Sequence, residues 1–178
     1  MGVESRDFYA RPMPSVYEAS GGRDGLRRLA AAWHARVMAD AIVSHAFSRG
    51  FHPQHTERLA DYWAEALGGP ATYSDSYGDE TAVVRMHSGN GPHEEMDRRA
   101  IACFDQALQD VGIVAEPLRQ VSHDYFAWAM TTTMGRYHES ADDVPEGLTI
   151  PHWSWDGPQR SVRPRPLFSP HVTSPDAD

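Results

Sequence analysis

Four segments of helical apolar periodicity, without any sustained strand periodicity, limit this chain of 178 residues to helical folds. In the first segment Leu29, Trp33 and Val37 recur four residues apart, so they share one face of a helix. The predicted helices cover residues 24–40, 53–67, 92–112 and 117–138. We therefore predict an all-α domain built from two antiparallel helix pairs, with a gap between the pairs where a cofactor can bind.

A long linker joins the two predicted pairs. Residues 71–92 are rich in Ser, Gly, Asp and Asn and contain one apolar segment, AVVRM. Irregular linkers of this length are uncommon inside compact domains and are usually functional or disordered. His87 follows the apolar segment directly, so an imidazole lies at the junction of the two pairs.

Proline content divides the chain further. Residues 1–14 form a predicted N-terminal arm, residues 15–139 the main domain, and residues 140–178 an extension with seven prolines. Trp153 and Trp155 are the large apolar anchors of this extension, so we expect it to be docked to about residue 157 and loose beyond that point.

Charge and composition exclude several classes of function. A formal charge of −9 and no basic stripe argue against a nucleic-acid partner. No apolar run approaches the roughly 18 residues that span a bilayer, and the N-terminus lacks a signal-peptide core. A single cysteine, Cys103, permits no internal disulfide. We expect a cytoplasmic protein without membrane contact.

Three familiar site patterns are incomplete. His52 and His55 are spaced like a zinc pair, but no further ligands accompany them, which favours histidines that cap a turn or face solvent. The acidic stretch 75–80 lacks the remaining ligands of a calcium loop and is interpreted as a solvated loop. The adjacent Ser-His pairs at 44–45 and 122–123 do not by themselves form a nucleophile and its base.

Three histidines can instead face one another across the gap. His87 lies in the linker, His34 on the first helix and His55 in the first turn of the second. A planar ligand between the helix pairs would meet His87 on one side and the other two on the opposite side. Haem fits this description, because its iron takes an axial imidazole and the opposite pocket sets the ligand chemistry.

Several blocks of sequence strengthen this interpretation. They are YEASGG, RLAAAWHARVMAD, ERLADYWAEALGGPATYS and the histidine ending VVRMH. With these blocks the chain resembles the group II truncated haemoglobins from Val16 to Trp155, and GLTIPHWSWDG resembles an extension found in actinobacterial relatives. The resemblance implies a truncated globin-like two-over-two helical sandwich that encloses haem b.

The resemblance also implies roles for individual residues. His87 would be the proximal iron ligand on a short helix, which the loose segment 88–91 lets lie at its own angle beneath the haem. Arg58 and Tyr73 match positions that contact the haem propionates. The remaining expected cofactor contacts are Phe47 and Leu59 on the distal side and Met86 beside the iron ligand; Trp63 and Phe104 are assigned to the core.

Three positions depart from the family pattern. His34 replaces a tyrosine that donates to bound ligand, His55 replaces a small residue, and Ala100 replaces a tryptophan. The distal histidines are therefore also candidate catalytic residues, since an imidazole can bind the sixth iron position, donate to a ligand or move protons. The loss of the indole at position 100 predicts a roomier pocket.

Two main functions stay open at this stage. One is binding of O2, NO or CO at the iron. The other is a haem enzyme that detoxifies NO or peroxide or oxidises a small metabolite. The possible partners are a reductase, a small-molecule substrate and a second copy of the chain. A third possible function is that of a haemless domain that acts through protein contacts.

Overall fold

The computed structural model describes residues 13–159. Residues 1–12 of the predicted arm (1–14), and the part of the extension from residue 160 onwards that is predicted to be loose, lie outside this range. Seven α-helices occur within it: α1 Val16–Ala19, α2 Gly22–Ala39, α3 His55–Ala66, α4 Thr72–Ser76, α5 Glu80–His87, α6 Glu94–Asp110 and α7 Leu118–Trp128. Shorter elements are the 3₁₀ turns Val43–Phe47 and Ala141–Asp143, the π-helical turn Ala129–Met134, and the strands β1 Trp153–Ser154 and β2 Gly157–Pro158. No helix in the described range is both long and apolar enough to cross a membrane.

Two helix pairs form the body of the fold. Helix α2 packs against α3, α6 packs against α7, and α2 also contacts α6, which joins the pairs. Trp63 on α3 lies 5.9 Å from Trp33 and 5.4 Å from Phe104, measured between ring centroids. Phe104 in turn stacks on Phe126 at 4.2 Å. This helical architecture confirms the predicted fold class, and Trp63 and Phe104 belong to its core as expected.

The linker between the pairs is more regular than its composition indicates. Residues 72–76 and 80–87 are helical, whereas the composition of the linker indicated an irregular stretch and only the family resemblance implied a short helix at His87. Helix α5 forms because the Asp79 side chain accepts a hydrogen bond from the Ala82 N–H at 2.9 Å, and because Val83 and Val84 are buried. Helix α6 starts at Glu94 rather than at Pro92, and α7 changes to a π-helical turn at Ala129.

The C-terminal extension packs on the helical body. Strands β1 and β2 form a short antiparallel hairpin, and Trp153 is buried against Tyr125 and Trp128. The indole N–H of Trp155 donates to the backbone carbonyl of Pro14 at 2.7 Å. This hydrogen bond joins the two ends of the described chain.

A buried carboxyl group lies at the start of α5. Glu80 is 2% exposed and accepts a hydrogen bond from the Tyr62 hydroxyl at 2.8 Å through Oε2, while its Oε1 has no partner among residues 13–159. The pKa of Glu80 is raised to about 7, mainly by burial; the Tyr62 hydrogen bond opposes the rise, and the Asp79 charge adds to it. The folded state therefore binds a proton more tightly here than the unfolded chain does.

We expect the E80Q substitution to stabilise the protein at alkaline pH and to change little at pH 4. Because the folded pKa lies above the unfolded value, the stability that Glu80 contributes is present below the unfolded pKa and is lost as the pH rises towards 7. Glutamine removes the charge and keeps an acceptor for Tyr62. In urea unfolding, the free energy of unfolding of E80Q minus that of the wild type should increase by about 2–3 kcal/mol between pH 4 and pH 8.

The exposed Glu139 supplies the matched control, since E139Q removes a carboxylate that stays in water. The difference in free energy of unfolding between E139Q and the wild type should be the same at every pH. Identical pH profiles for E80Q and the wild type would contradict the assignment of a raised carboxyl pKa.

Candidate functional site

Helix α5 ends in a way that fixes the direction of its last residue, His87. The Ser88 hydroxyl donates to the Val84 carbonyl at 2.7 Å, and the backbone of Ser88 is extended. The His87 Nδ1 lies 2.8 Å from the Val83 carbonyl oxygen. A carbonyl oxygen only accepts, so Nδ1 carries the proton and Nε2 keeps its lone pair.

The His87 side chain is exposed at the end of α5. Burial by the surrounding protein nevertheless lowers its pKa, while the Val83 hydrogen bond and the Asp97 charge oppose the shift. The ring is therefore neutral at pH 7. A neutral imidazole whose Nδ1–H is held by a backbone carbonyl is the usual form of a metal-ligating histidine.

Four aromatic rings cluster between α2 and α3. His34 lies on α2, His55 begins α3, and their ring centroids are 5.2 Å apart. Phe47 lies 5.4 Å from His34 and 5.3 Å from His55, and Phe51 lies 4.7 Å from His34 and 5.8 Å from His55. We call His34, Phe47, Phe51 and His55 the distal ring cluster. Phe51 is 48% exposed, so it forms the outer side of the cluster.

Both imidazoles of this cluster are neutral and incompletely hydrogen-bonded. The Nδ1 atoms of His34 and His55 are buried and have no hydrogen-bond partner within the described residues. Burial lowers the pKa of His34. Burial first, and then positive charge on His34 and on His87, lowers the pKa of His55 to about 4.

Farther along α3 lies Arg58, which has no carboxylate partner among residues 13–159. The Arg58 guanidinium carbon is 5.0 Å from the ring centroid of Tyr77, and its buried Nε has no acceptor in the described part of the chain. The ring centroid of Tyr73 lies 5.6 Å from that of Tyr77. Burial raises the pKa of Tyr73, and the nearby Arg58 charge opposes this rise. By contrast, nearby Arg23 forms an ion pair with Asp61. Arg58 is thus available to an external anion.

Three further predicted positions differ in their surroundings. Leu59 is half-buried against the core, and Met86 is 73% exposed next to His87. Ala100 is buried, and its carbonyl accepts from the Trp33 indole N–H at 3.2 Å. Trp33 is therefore held in the core and does not replace the indole donor that the family carries at position 100.

The zinc-like histidine pair, the acidic stretch 75–80 and the Ser-His pair at 122–123 contain residues that support the fold. His52 Nδ1 accepts from the Gln54 N–H at 3.0 Å and so stabilises a turn. The Ser122 hydroxyl donates to the Leu118 carbonyl at 2.8 Å instead of facing His123. Among residues 13–159 no group of three or more His, Cys, Asp or Glu side chains is arranged to hold a metal ion. The acidic stretch is not a solvated loop throughout, because its last residue, Glu80, is buried.

Two residues of the site were missed by sequence reasoning. Phe51 lies in a loop without periodicity, so no local pattern relates it to His34. Tyr77 follows Tyr73 by four residues, which is the spacing of one helical face, and this signal was available.

The residues of the site fit a haem. One neutral imidazole has a free Nε2, two neutral imidazoles with unpartnered Nδ1 atoms occur in the neighbouring ring cluster, and an unpartnered guanidinium can pair with a propionate carboxylate. These unpartnered buried polar atoms would otherwise each cost free energy, so a bound group with matching polar atoms accounts for them.

Comparison with known proteins gives a consistent result. The family model described as bacterial-like globin matches residues 15–134, which is more than half of the chain. The extension that follows residue 134 lies outside this match.

Solved structures agree with the family match. A haemoglobin from Chloroflexus aurantiacus is 30% identical, covers 70% of this chain and all of its own, and has a TM-score of 0.60. A thermostable haemoglobin from Thermobifida fusca is 26% identical over 68% of this chain and 97% of its own, with a TM-score of 0.57. The group II truncated haemoglobin of Bacillus anthracis, at 21% identity, covers 70% of this chain and 92% of its own, has a TM-score of 0.60 and supports the fold.

Proposed function

The chain belongs to the bacterial-like globin family, whose cofactor is haem, and from this premise we propose that His87 binds the iron and that His34 and His55 line the opposite face, where a diatomic gas ligand binds. The observation that carries the proposal is the 2.8 Å hydrogen bond from His87 Nδ1 to the Val83 carbonyl. It leaves Nε2 as the single nitrogen of this ring that can bind a metal.

The Val83 carbonyl has a second effect on the ligand. It restrains rotation of the His87 ring and increases the basicity of Nε2, because the Nδ1 proton is partly withdrawn towards the carbonyl oxygen. Burial keeps the ring unprotonated at neutral pH, so no proton has to be released before the metal binds.

The distal ring cluster determines the polarity around a ligand bound on the haem face opposite His87. When bound, haem supplies an iron atom with a coordination position for O2, NO or CO. His34 and His55 are neutral, and each carries one N–H that can donate to a polar ligand. Phe47 and Phe51 surround these donors with apolar surface and exclude water from them.

Arg58 and Tyr73 orient the cofactor from its edge. The Arg58 guanidinium lies over the Tyr77 ring, and its Nε has no hydrogen-bond partner in the described chain. Its N–H donors can therefore pair with a propionate. The half-buried Tyr73 can donate from its hydroxyl group beside it. Together they would hold a bound haem by its propionates.

The distal histidines are suited to donate a hydrogen bond to a bound ligand. The pKa of His55 is lowered to about 4 and that of His34 is also lowered, so at pH 7 both rings are neutral and each has one N–H to donate. The same neutral rings can accept a proton, which is the step that peroxide detoxification requires of them. Oxidation of a small metabolite at the same pocket is the alternative, and turnover with a reductant would distinguish it from a stable oxygen complex.

Titration with hemin tests the proposal. Purified protein should take up one equivalent, and absorption spectra of the ferric, ferrous and CO-bound forms should show an imidazole-ligated haem b. A protein that stays colourless after this titration would overturn the proposed function.

A further inference from the structure

Helix α5, which carries His87, has little support of its own. It has eight residues, and isolated helices shorter than about 12 residues are marginally stable in water. Gly78 precedes it, and Gly89 and Gly91 follow with φ angles of +74° each. The position of α5 must therefore be determined by tertiary contacts.

The chain beyond α7 supplies many of these contacts. We call residues 137–148 the clamp segment; it lies entirely after residue 134, where the globin family match ends. Just past the end of α5, the Gly89 N–H donates to the Tyr137 carbonyl at 3.0 Å and the Gly91 N–H donates to the His138 carbonyl at 2.9 Å. A Cβ at Gly89 would lie 3.3 Å from the Ala141 backbone nitrogen, so the two segments are closely packed here.

The clamp segment also holds the start of α5. The Thr81 hydroxyl donates to the Pro145 carbonyl at 3.1 Å and accepts from the Leu148 N–H at 3.0 Å. Thr81 is 2% exposed, and Val144 beside this contact is buried to the same degree. Because the hydroxyl satisfies two backbone groups away from water, its loss leaves both without a partner.

A third contact lies between these two. The Arg85 Nη2 donates to the Val144 carbonyl at 3.3 Å and to the Glu146 Oε1 at 2.7 Å. Both side chains are exposed, so this ion pair contributes less than the Thr81 hydroxyl does. The clamp segment thus contacts α5 in its first turn, in its last turn and directly after its end.

We propose that the clamp segment is a positioning element for His87: it holds α5 in place and thereby determines the distance and angle at which Nε2 meets the haem iron. This inference rests on the proposed function, in which His87 is the iron ligand. Thr81 is its main positioning residue, because it makes the one buried side-chain contact of the three described above.

The test compares three variants of the full chain. T81V keeps the shape of the side chain and removes both hydrogen bonds, T81S keeps the hydroxyl group, and T131V removes an exposed hydroxyl that bonds within its own helix turn. Hydrogen–deuterium exchange of the protein without haem should be about tenfold faster at residues 80–88 in T81V, unchanged in α2, and restored by T81S.

The haem-loaded variants provide the second readout. In T81V the iron–histidine stretching band in the resonance Raman spectrum should shift and broaden, and haem transfer to apomyoglobin should be several-fold faster. T81S and T131V should match the wild type in both measurements. If T81V does not fold, R85M removes the exposed contact alone and should give smaller changes in the same direction.

Three outcomes would overturn the inference. Unchanged exchange at residues 80–88 would show that the clamp segment does not hold α5. Faster exchange in α2 as well would show only a loss of global stability. Local loosening with an unchanged iron–histidine band and haem transfer rate would show that α5 is held but His87 is not positioned. Failure of the wild type to bind hemin would instead overturn the proposed function, while the exchange data would still report on the clamp.

Discussion

Protein with the H87A substitution is expected to fold but to lose haem on a desalting column. The variant removes the one side chain in α5 whose nitrogen lone pair is free, and the Val83 carbonyl then has no ring to orient. Loss of groups that only orient a metal ligand costs about 10–100-fold in affinity, so loss of the ligand itself should reduce haem occupancy at least tenfold.

The H52A substitution is the matched control, because His52 is exposed and serves a turn. It should retain full occupancy. Added imidazole should restore part of the wild-type spectrum in H87A by entering the space that the side chain leaves. An H87A protein with full occupancy and an unchanged spectrum would contradict the assignment of the iron ligand.

Replacing the distal histidines with leucine is expected to accelerate oxygen release. Leucine approximates the size of imidazole but carries no hydrogen-bond donor. If His34 or His55 donates to the bound oxygen, the H34L or H55L substitution respectively removes that hydrogen bond. A hydrogen bond to a ligand with charge on it contributes about 1.5–3 kcal/mol, which corresponds to roughly a 10–100-fold faster off-rate. Stopped-flow displacement of oxygen by CO measures this rate.

The ferric spectra of the same variants show which ring approaches the iron. If an imidazole occupies the sixth position, its replacement should convert a six-coordinate low-spin spectrum into a high-spin one. H45L is the control, because His45 is exposed on the 3₁₀ turn that contributes Phe47. Unaltered off-rates and ferric spectra in both distal variants would remove these histidines from the ligand site.

The large elements of the fold were predictable because their apolar residues follow helical periodicity over many residues. Trp33, Trp63 and Phe104 were recognisable as core residues for the same reason. Helix α5 was harder, since its polar flanks resemble a loop and its stability depends on the Asp79 cap and on the distant clamp segment.

The site was predictable only in part. His34, His55 and His87 could be selected as ring nitrogens near one gap, and the structure brings the first two within 5.2 Å. The role of Phe51 and the burial of Glu80 could not be inferred, because both depend on residues that are distant in sequence. Glutamate is rarely buried, so its local sequence indicated a surface loop.

The hydrogen bond from Trp155 to Pro14 closes the described chain into a ring. In a chain whose ends are free, each terminus frays independently and at little cost. Here the opening of one end of the described range also breaks this contact with the other, so we expect these two ends to loosen together. Because the hairpin that carries Trp155 continues directly from the clamp segment, damage at the N-terminal edge would propagate towards α5 through the backbone.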